Sequence, residues 1–268
     1  MEQRSWLISA FLLAQLCPWV MRQIHYYPQL DSTSRVAKDL LQQGAAAGTV
    51  VLAAQQSAGR GQYGRTFASP PGGLYFSLIL YPEIQAQEAA MVTLAAGLGC
   101  RDALGAQCGL SPQIKWPNDL YCAGRKIAGI LTEYCLPAMG RREAAVVIGA
   151  GLNVNSSSGD FPEELRPLLG TVRDLTGAAI HDMETLLEAC AACIERRVAQ
   201  LLRDRSTLLA EWQKADYLLG RRIRHLLNEQ VLATGIGRGI DYSGRYLLEQ
   251  DDGSTGAVLA GQLKALEG

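Results

Sequence analysis

The feature that most constrains the fold is a glycine-rich, positively charged segment that separates two apolar runs. Residues 59–73 read GRGQYGRTFASPPGG and contain five glycines, two arginines and one glutamine. Glycine lets backbone N–H groups come close to a ligand, and arginine offers a planar set of donors that matches a carboxylate or a phosphate. The flanking apolar runs, residues 49–54 and 74–80, have the length of buried strands. The sequence therefore predicts two strands joined by an anion-binding loop.

Two further segments narrow the interpretation, because glycine- and arginine-rich surface loops are common. These segments are KWPND and KIAGI, which begin at Lys115 and Lys126. Pro117 holds the residue before it extended, and Asn118 and Asp119 then set an amide beside a carboxylate. This pair suits a metal–phosphate or an amine, although a simple Pro-Asn-Asp turn is the alternative. Lys126 follows across a predicted turn, so its ammonium is expected at the same place.

The balance of charge limits the partners of this chain. Its 268 residues carry 25 Lys and Arg against 26 Asp and Glu, a formal net charge of -1. A protein that coats nucleic acid usually has a basic excess, so we expect no nucleic-acid partner. The length and a hydrophobic fraction of 48% predict one medium domain plus a small one.

The N-terminus carries an apolar run at residues 6–20. The run is shorter than the roughly 20 residues that a membrane-spanning helix needs. The residues before it are barely basic and no A-x-A site follows, which disfavours a secretion signal. Met21 offers a second start just before the first predicted strand. We therefore interpret residues 1–22 as an extension that the fold does not need or as a misassigned start, and we expect a cytoplasmic protein with no membrane partner.

Cysteine usage gives no sign of a disulfide framework or a metal site. The chain has seven cysteines without regular spacing. Cys190 and Cys193 form one CxxC in an alanine-rich helical stretch, but no second CxxC or histidine pair lies nearby. We interpret both as small apolar helix residues in a reducing compartment.

Strand-like and helix-like segments alternate through residues 23–216. Ala123-Gly124 between two strand-like runs predicts a hairpin, and a hairpin within this pattern favours a mixed sheet over a doubly wound parallel one. Ser32, Thr33 and Ser34 are expected to cap the first helix. Predicted strands span 23–27, 49–54, 74–80, 113–115, 126–134 and 144–149, and predicted helices span 35–43, 88–104, 182–203 and 207–216.

The last 50 residues have a different pattern. Short apolar runs are broken by tight-turn sequences such as Tyr-Ser-Gly and Asp-Asp-Gly. Four or five short strands with tight turns predict a small barrel. We therefore expect a catalytic domain at residues 23–216 and a barrel domain at residues 217–268.

One glycine pair does not fit a dinucleotide site. Gly149 and Gly151 follow a predicted strand, but the third glycine of the dinucleotide fingerprint is missing and no suitable helix opens behind them. A strand end that packs closely against a flat ligand is the better interpretation.

Taken in order, these segments resemble the biotin protein ligases. The similarity rests on DST (31–33), QQSAGRGQYGR (55–65), SPPGGLYFSL (69–78), KWPNDLY (115–121), RKIAGILTE (125–133), VVIGAGLNVN (146–155) and the tail at 237–253. It implies an α+β fold, with a mixed sheet and flanking helices like class II aminoacyl-tRNA synthetases, followed by an SH3-like barrel. Too few residues precede the predicted core for a DNA-binding winged helix, so the monofunctional type is expected.

The resemblance also implies a two-step reaction. Biotin and MgATP would give biotinyl-5′-adenylate and pyrophosphate, and a lysine of a biotin carboxyl carrier protein, such as an acetyl-CoA carboxylase subunit, would then attack the adenylate. Arg60, Lys126 and Asp119 would be catalytic, and Asn118 would support Mg²⁺. The implied biotin-binding residues are Ser32, Thr33, Gln56, Gly59, Arg60, Lys126, Gly129 and Gly149. The implied ATP-binding residues are Gly59, Arg60, Gly61, Gln62, Phe67, Asn118, Lys126, Asn153 and Arg238.

Two positions depart from the family pattern, and two other functions stay open. Gln62 stands where the family usually has arginine, and Phe67 stands where it usually has tryptophan. The loss of charge at Gln62 predicts weaker retention of the adenylate unless Arg65 or Arg35 compensates. The alternatives are a lipoate–protein ligase, which shares the adenylation chemistry, and a non-catalytic sensor of biotin or nucleotide.

Overall fold

A computed structural model describes residues 22–136 and 143–266. Its centre is a seven-stranded sheet with the strand order β1-β2-β3-β7-β6-β5-β4, in which β1 and β2 are parallel and the other neighbours are antiparallel. The predicted mixed sheet is therefore confirmed. The strands are β1 (Ile24–Tyr27), β2 (Val50–Ala53), β3 (Leu74–Leu80), β4 (Gln113–Lys115), β5 (Asp119–Cys122), β6 (Arg125–Cys135) and β7 (Ala145–Leu152).

Helices cover both faces of this sheet, because alternate residues of each buried strand point to opposite sides. One face packs against α1 and the other against α2 and α4. Within residues 22–136 and 143–266, none of the helices is both long enough and apolar enough to cross a membrane. The helices are α1 (Thr33–Gln42), α2 (Ala89–Cys108), α3 (Val172–Thr176), α4 (Met183–Arg203) and α5 (Arg205–Lys214).

The second helix is longer than its predicted range of 88–104. Gly105 lies inside α2, and the helix ends only at Gly109, which adopts the left-handed conformation (φ 66°) that favours glycine at a C-cap. Gly99 lets α2 approach α4, because a Cβ there would lie 2.7 Å from the backbone nitrogen of Ile194. Cys190 and Cys193 of α4 are buried in the same core, in agreement with their interpretation as small apolar residues.

The apolar run and Met21 lie outside the described residues. Arg22 is the first described residue, and its guanidinium pairs with Glu195 (2.7 Å) and Glu188 (3.1 Å) of α4. This contact ties the chain just before β1 to the helical layer.

The C-terminal part forms a five-stranded antiparallel sheet with the order β11-β10-β9-β8-β12. It corresponds to the SH3-like barrel predicted from the short strands and tight turns. Its buried residues belong to the same hydrophobic cluster as the large sheet. The strands are β8 (Arg222–Leu227), β9 (Gln230–Ile240), β10 (Tyr246–Gln250), β11 (Thr255–Val258) and β12 (Gln262–Ala265).

Polar contacts join the barrel and the residues just before it to β4 and the KWPND motif. The backbone of Ile114 in β4 accepts from Tyr217 N–H (2.9 Å) and donates to Ala215 (2.7 Å). The indole of Trp116, in the KWPND motif, donates to Gly244 in a barrel turn (3.0 Å). The motif is therefore held from both domains.

A buried carboxyl group, that of Asp216, lies just before the barrel and ties the end of the preceding segment to it. It is 5% exposed and accepts from Tyr246 Oη (2.8 Å) and Leu218 N–H (2.8 Å). Burial raises its pKa from 3.8 to about 6, and the two hydrogen bonds only partly oppose this shift.

We expect this carboxyl to make the stability of the protein depend on pH. The folded state holds the Asp216 proton at a higher pH than the unfolded state does, so its contribution is complete below pH 3.8 and is lost as the pH rises through 6. The loss amounts to about 3 kcal/mol of unfolding free energy. Denaturant unfolding of wild type and Asp216→Asn between pH 4 and 7 measures it. The difference between the two proteins should change across this window, and a constant difference would contradict the assignment.

Candidate active site

A cavity of about 930 Å³ lies between the large sheet, the glycine-rich loop and the barrel. Most of the predicted site residues line it, although they come from separate parts of the chain. Two do not: Gly59 is buried behind the loop, and Arg238 pairs with Glu249 (2.7 Å) elsewhere on the barrel. Those on the cavity wall are Ser32, Thr33, Gln56, Arg60, Gly61, Gln62, Phe67, Asn118, Asp119, Lys126, Gly129, Gly149 and Asn153.

One end of the cavity is built from hydroxyl and amide groups. The Gln56 side chain accepts from Thr33 N–H (2.8 Å) and donates to Ser69 Oγ (2.8 Å). Ser77 Oγ donates to Thr33 Oγ1 (2.9 Å) and is 3.2 Å from Ser34 Oγ. The predicted capping role of these hydroxyls is therefore wrong. Ser32 is the N-cap of α1 but makes no side-chain capping bond. The Thr33 and Ser34 hydroxyls lie instead within hydrogen-bond distance of Gln56 and Ser77.

Glycines let the backbone approach these groups. A Cβ on Gly149 would lie 2.7 Å from Ser34 Oγ, so the start of α1 can rest on β7 only at a glycine. A Cβ on Gly59 would lie 2.7 Å from Ser69 Oγ and would also meet the carbonyl oxygen of Phe67. Gly59 thus closes the base of the loop rather than contacting the cavity.

An aromatic ring lies over two paired glycines at the centre of the cavity. Gly129 of β6 and Gly151 of β7 are register partners, and the Phe67 ring covers both. A Cβ on Gly151 would come within 2.5 Å of the Phe67 ring, so the ring can lie there only because the position lacks a side chain. Tyr75 supports the ring edge-on at a centroid distance of 6.4 Å.

Beside this ring, Lys126 Nζ and Asp119 Oδ1 form an ion pair at 2.6 Å. The hairpin makes the pair possible: Ala123 (φ 49°) and Gly124 (φ 75°) form a turn with two positive φ angles, which matches the twist of paired strands. Both side chains are about one-quarter exposed (25% and 22%), so solvent screens them only in part. Lys126 Nζ also lies 5.5 Å from the Phe67 ring centroid.

Two asparagine side chains offer oxygens at the same place. Asn118 lines the cavity and donates through Nδ2 to Ile130 O (2.8 Å), so this bond does not use its amide oxygen. Asn153 is 2% exposed and donates to Gly170 O (3.2 Å), but its Oδ1 has no hydrogen-bond partner among the described residues. A buried oxygen in this situation on a cavity wall fits a ligand that donates a hydrogen bond or carries a cation.

The glycine-rich loop is held by its own backbone and by the barrel. Gly61 N–H donates to Arg65 O (2.7 Å), so the expected use of this donor for an anion would require the bond to open. Tyr63 adopts a left-handed conformation (φ 56°), and its hydroxyl accepts from Gly261 N–H in the barrel (3.1 Å). Of the two arginines expected to compensate for Gln62, Arg65 lines the cavity, whereas Arg35 pairs with Asp31 and Asp39 outside it.

Sequence reasoning missed a second group of residues on the cavity wall. Lys115, Tyr121 and Tyr217 lie where the large sheet meets the barrel, and Arg221 and Lys264 come from the barrel itself. Lys115 belongs to a motif that was singled out for its other members. The barrel residues gave no sequence signal, because isolated cations on short strands are typical of solvent-facing positions.

Comparison with known proteins agrees with this geometry. Residues 26–153 match the Biotin/lipoate A/B protein ligase family. The biotin--[acetyl-CoA-carboxylase] ligase of Paracoccus denitrificans is 35% identical over 228 residues, covering 81% of this chain and 90% of that protein. The bifunctional ligase/repressor BirA of Bacillus spizizenii is 34% identical over 231 residues, covering 85% and 70%.

A solved structure shares the whole architecture. The biotin protein ligase from Aquifex aeolicus in complex with biotin and ATP has a TM-score of 0.76 at 26% identity, covering 92% of this chain and 100% of that one. The fold and the relatives define the class of the protein as a ligase. The chain belongs to the Biotin/lipoate A/B protein ligase family, and within that family to the biotin protein ligases.

Proposed function

We propose that this enzyme activates biotin with ATP to biotinyl-5′-adenylate and then transfers the biotinyl group to a lysine of a biotin carboxyl carrier protein. The observation that carries the proposal is the Lys126–Asp119 ion pair beside the Phe67 ring, in a cavity shared with the Thr33 and Gln56 hydrogen-bond network. A cation, a carboxylate, an aromatic ring and a small polar end are what the two half-reactions require. The names of the relatives support biotin over lipoate.

In the first half-reaction two anions must meet. An oxygen of the biotin carboxylate attacks the α-phosphorus of ATP, the bond to the β-phosphate oxygen breaks, and pyrophosphate leaves with the electron pair. Lys126 and Arg60 would lower the repulsion between carboxylate and phosphate and hold both in line. Phe67 would cover the activated acid or the adenine and exclude water, which hydrolyses a mixed anhydride.

In the second half-reaction an amine attacks the biotinyl carbonyl, and AMP leaves. The acceptor lysine must lose a proton to become a nucleophile. Asp119 would attract its ammonium, orient it and accept that proton, after Lys126 has turned from Asp119 to the phosphate. The same ion pair would thus serve both steps.

The polar end suits the ureido ring of biotin, which has two N–H donors and one carbonyl. Ser32 and Thr33 would contact the ring. Because both ends of the Gln56 amide already bond the protein, Gln56 would act mainly by fixing Thr33. Gly149 would let the biotin ring approach the sheet, and Gly129 would do the same once the Phe67 ring that covers it has moved aside.

Magnesium fits this chemistry as an ion carried by the nucleotide phosphates. The described part of the chain contains no cluster of three or more His, Cys, Asp or Glu side chains that could hold a metal alone. Mg²⁺ commonly binds through one or two side-chain oxygens plus substrate phosphates. Asn118 would hold the ion next to Asp119, and its charge would further reduce the repulsion between carboxylate and phosphate. The buried Asn153 Oδ1 would accept a hydrogen bond from the nucleotide.

The proposal is tested by following labelled biotin. With ATP and magnesium, purified protein should form biotinyl-adenylate and should transfer the label to a carrier domain, but not to the same domain with its acceptor lysine changed to arginine. Lipoate as the sole acid should release little pyrophosphate. Failure to form the adenylate would overturn the proposal, and equal turnover with lipoate would change its substrate. The need for ATP and a carboxylase acceptor supports a cytoplasmic location.

Gln62 leads to a prediction about the adenylate. Gln62 lines the cavity but brings no charge, and Arg65, whose Nε donates to the Gln62 backbone oxygen (3.3 Å), is a loop cation beside it. We expect wild type to release biotinyl-adenylate faster than Gln62→Arg, by about tenfold, since a charge-assisted hydrogen bond contributes roughly 1.5–3 kcal/mol. A chase of labelled adenylate with unlabelled biotin measures release. Equal release rates would show that Arg65 already supplies the missing charge.

A further inference from the structure

The charge lining the cavity is far from balanced. Its wall holds seven cationic side chains but one carboxylate, that of Asp119, in a chain whose formal net charge is -1. Three of the cations, Arg60, Arg65 and Lys126, belong to the loop and hairpin already assigned to the reaction. The others come from β4 and from the barrel: Lys115, Arg221, Arg222 and Lys264.

Aromatic rings, rather than carboxylates, hold two of these cations in place. Tyr121 and Tyr217 stack at a centroid distance of 4.7 Å. Lys115 Nζ lies 5.0 Å from the Tyr121 centroid and 3.3 Å from its hydroxyl, and the Arg221 guanidinium lies 4.2 Å from the Tyr217 centroid. A cation over an aromatic face is attracted to it without losing its charge.

Within residues 22–136 and 143–266, Lys115, Arg221 and Lys264 form no ion pair, whereas Arg222 pairs with Asp251 at 2.8 Å. Lys264 also stands directly across from Arg224 in the β8–β12 register, and like charges at such positions repel. The fold therefore maintains positive charge at this place without a direct ion pair to Lys115, Arg221 or Lys264 among the described residues; cation–π contacts and longer-range attraction to Asp119 and Asp216 are what offset the repulsion.

Lys115 shows the effect of this arrangement. Burial lowers its pKa most, Asp119 opposes this, and repulsion from Lys126, Lys264 and Arg65 lowers the pKa further. Asp119 is already paired with Lys126. An anion between these groups would relieve the repulsion.

We infer that Lys115, Arg221 and Lys264 form a subsite for a polyphosphate: the β- and γ-phosphates of ATP before the first half-reaction and pyrophosphate after it. The inference rests on the proposed function and extends it to the leaving group. A polyphosphate fits better than an acidic protein surface, because Lys115 is partly buried inside a cavity that a folded domain cannot enter. A polyphosphate also explains why the cavity wall holds more cations than Lys126 and Arg60, the two assigned to the α-phosphate.

The subsite gives the barrel a role in the chemistry. As the bond from the α-phosphorus to the bridging oxygen breaks, negative charge grows on the departing pyrophosphate. Cations fixed before the reaction stabilise that charge without rearranging. Lys264 comes from the barrel and Lys115 from the large sheet, so the pyrophosphate would be held by both domains.

The test uses two variants and a matched control. Lys264→Gln removes the charge at an exposed strand position and should leave the fold intact, while Lys115→Gln removes it from the partly buried position. Lys214→Gln makes the same change at an exposed lysine of α5 that does not line the cavity. Calorimetry measures the binding of inorganic pyrophosphate with magnesium, and kinetics measure its inhibition of adenylate formation and the KM for ATP.

We expect Lys264→Gln and Lys115→Gln each to weaken pyrophosphate binding by about tenfold and to raise the KM for ATP similarly, because each removes a charge-assisted contact. Binding of biotin and AMP should stay unchanged, as should all values for Lys214→Gln. Unchanged pyrophosphate binding in Lys264→Gln would overturn the subsite, as would equal losses for AMP. The proposed function fails separately, if wild type forms no adenylate. Pyrophosphate binding by wild type can be measured in either case.

Discussion

Lys126→Ala should lower the rate of biotinyl-adenylate formation by about a thousandfold, while the protein stays folded. Removing one preorganised donor at a developing charge commonly costs a hundredfold to a thousandfold. Here the loss should reach the upper end, because Asp119 would also be left without its partner next to two incoming anions. Isotope exchange between pyrophosphate and ATP, which requires biotin, measures this step directly.

Lys38→Ala is the matched control for this change. Lys38 also pairs with a carboxylate at 2.7 Å, that of Glu133, and its side chain is 31% exposed against 25% for Lys126. It does not line the cavity. Its exchange rate should remain within about twofold of wild type, because it loses only a partly exposed ion pair. A similar loss in both variants would mean that Lys126 acts through folding rather than through charge.

Gly151→Ala should lower the kcat/KM for biotin by about a hundredfold, because a displacement of about 1 Å in a site can have that effect. The new Cβ would lie 2.5 Å from the Phe67 ring, so the ring must move into the space where a ligand would lie. Gly151 is buried near the end of β7 and is paired with Tyr75 of β3 and Gly129 of β6, so the ring is the part of this contact that can move. Steady-state kinetics and thermal unfolding separate the loss of activity from the loss of stability.

A second substitution makes this prediction specific to the ring. In a Phe67→Leu background the space above Gly151 is larger, so adding Gly151→Ala should cost much less than it does in wild type. Gly159→Ala is the neutral control, since a Cβ there meets nothing within 4 Å. Full additivity of the two substitutions would contradict the view that Gly151 is a glycine because of Phe67.

The sequence predicted a mixed sheet because the signals for strands and turns are local, whereas the order of the strands was not predicted. Buried strands are continuous apolar runs, and the β5–β6 turn carries a glycine where φ must be positive. The loop and the KWPND motif were informative because glycine permits backbone conformations that other residues rarely adopt, proline fixes φ, and charged side chains next to them indicate a charged ligand. These signals located Lys126 and Asp119 and predicted that they would meet.

What the sequence could not predict depends on contacts between distant segments. Arg238 looked like the barrel cation that would reach the cavity, but it pairs with Glu249, and Lys264 lines the wall instead. Which barrel strand faces the cavity is set by how Trp116 and Asp216 join the domains, and no local pattern encodes this. The hydroxyls of Thr33 and Ser34 matched a capping pattern, yet the sheet beneath them offered better partners.

The hydrogen bond between Tyr63 and Gly261 has a practical meaning for anyone who wishes to shorten or recombine this protein. A fragment that stops at residue 216 should not keep the ligase activity. The glycine-rich loop would lose its hydrogen bond to the barrel, and the cavity would lose the part of its wall that the barrel provides. For the same reason, replacing the barrel with one from another protein would also replace the residues that the barrel contributes to the cavity wall.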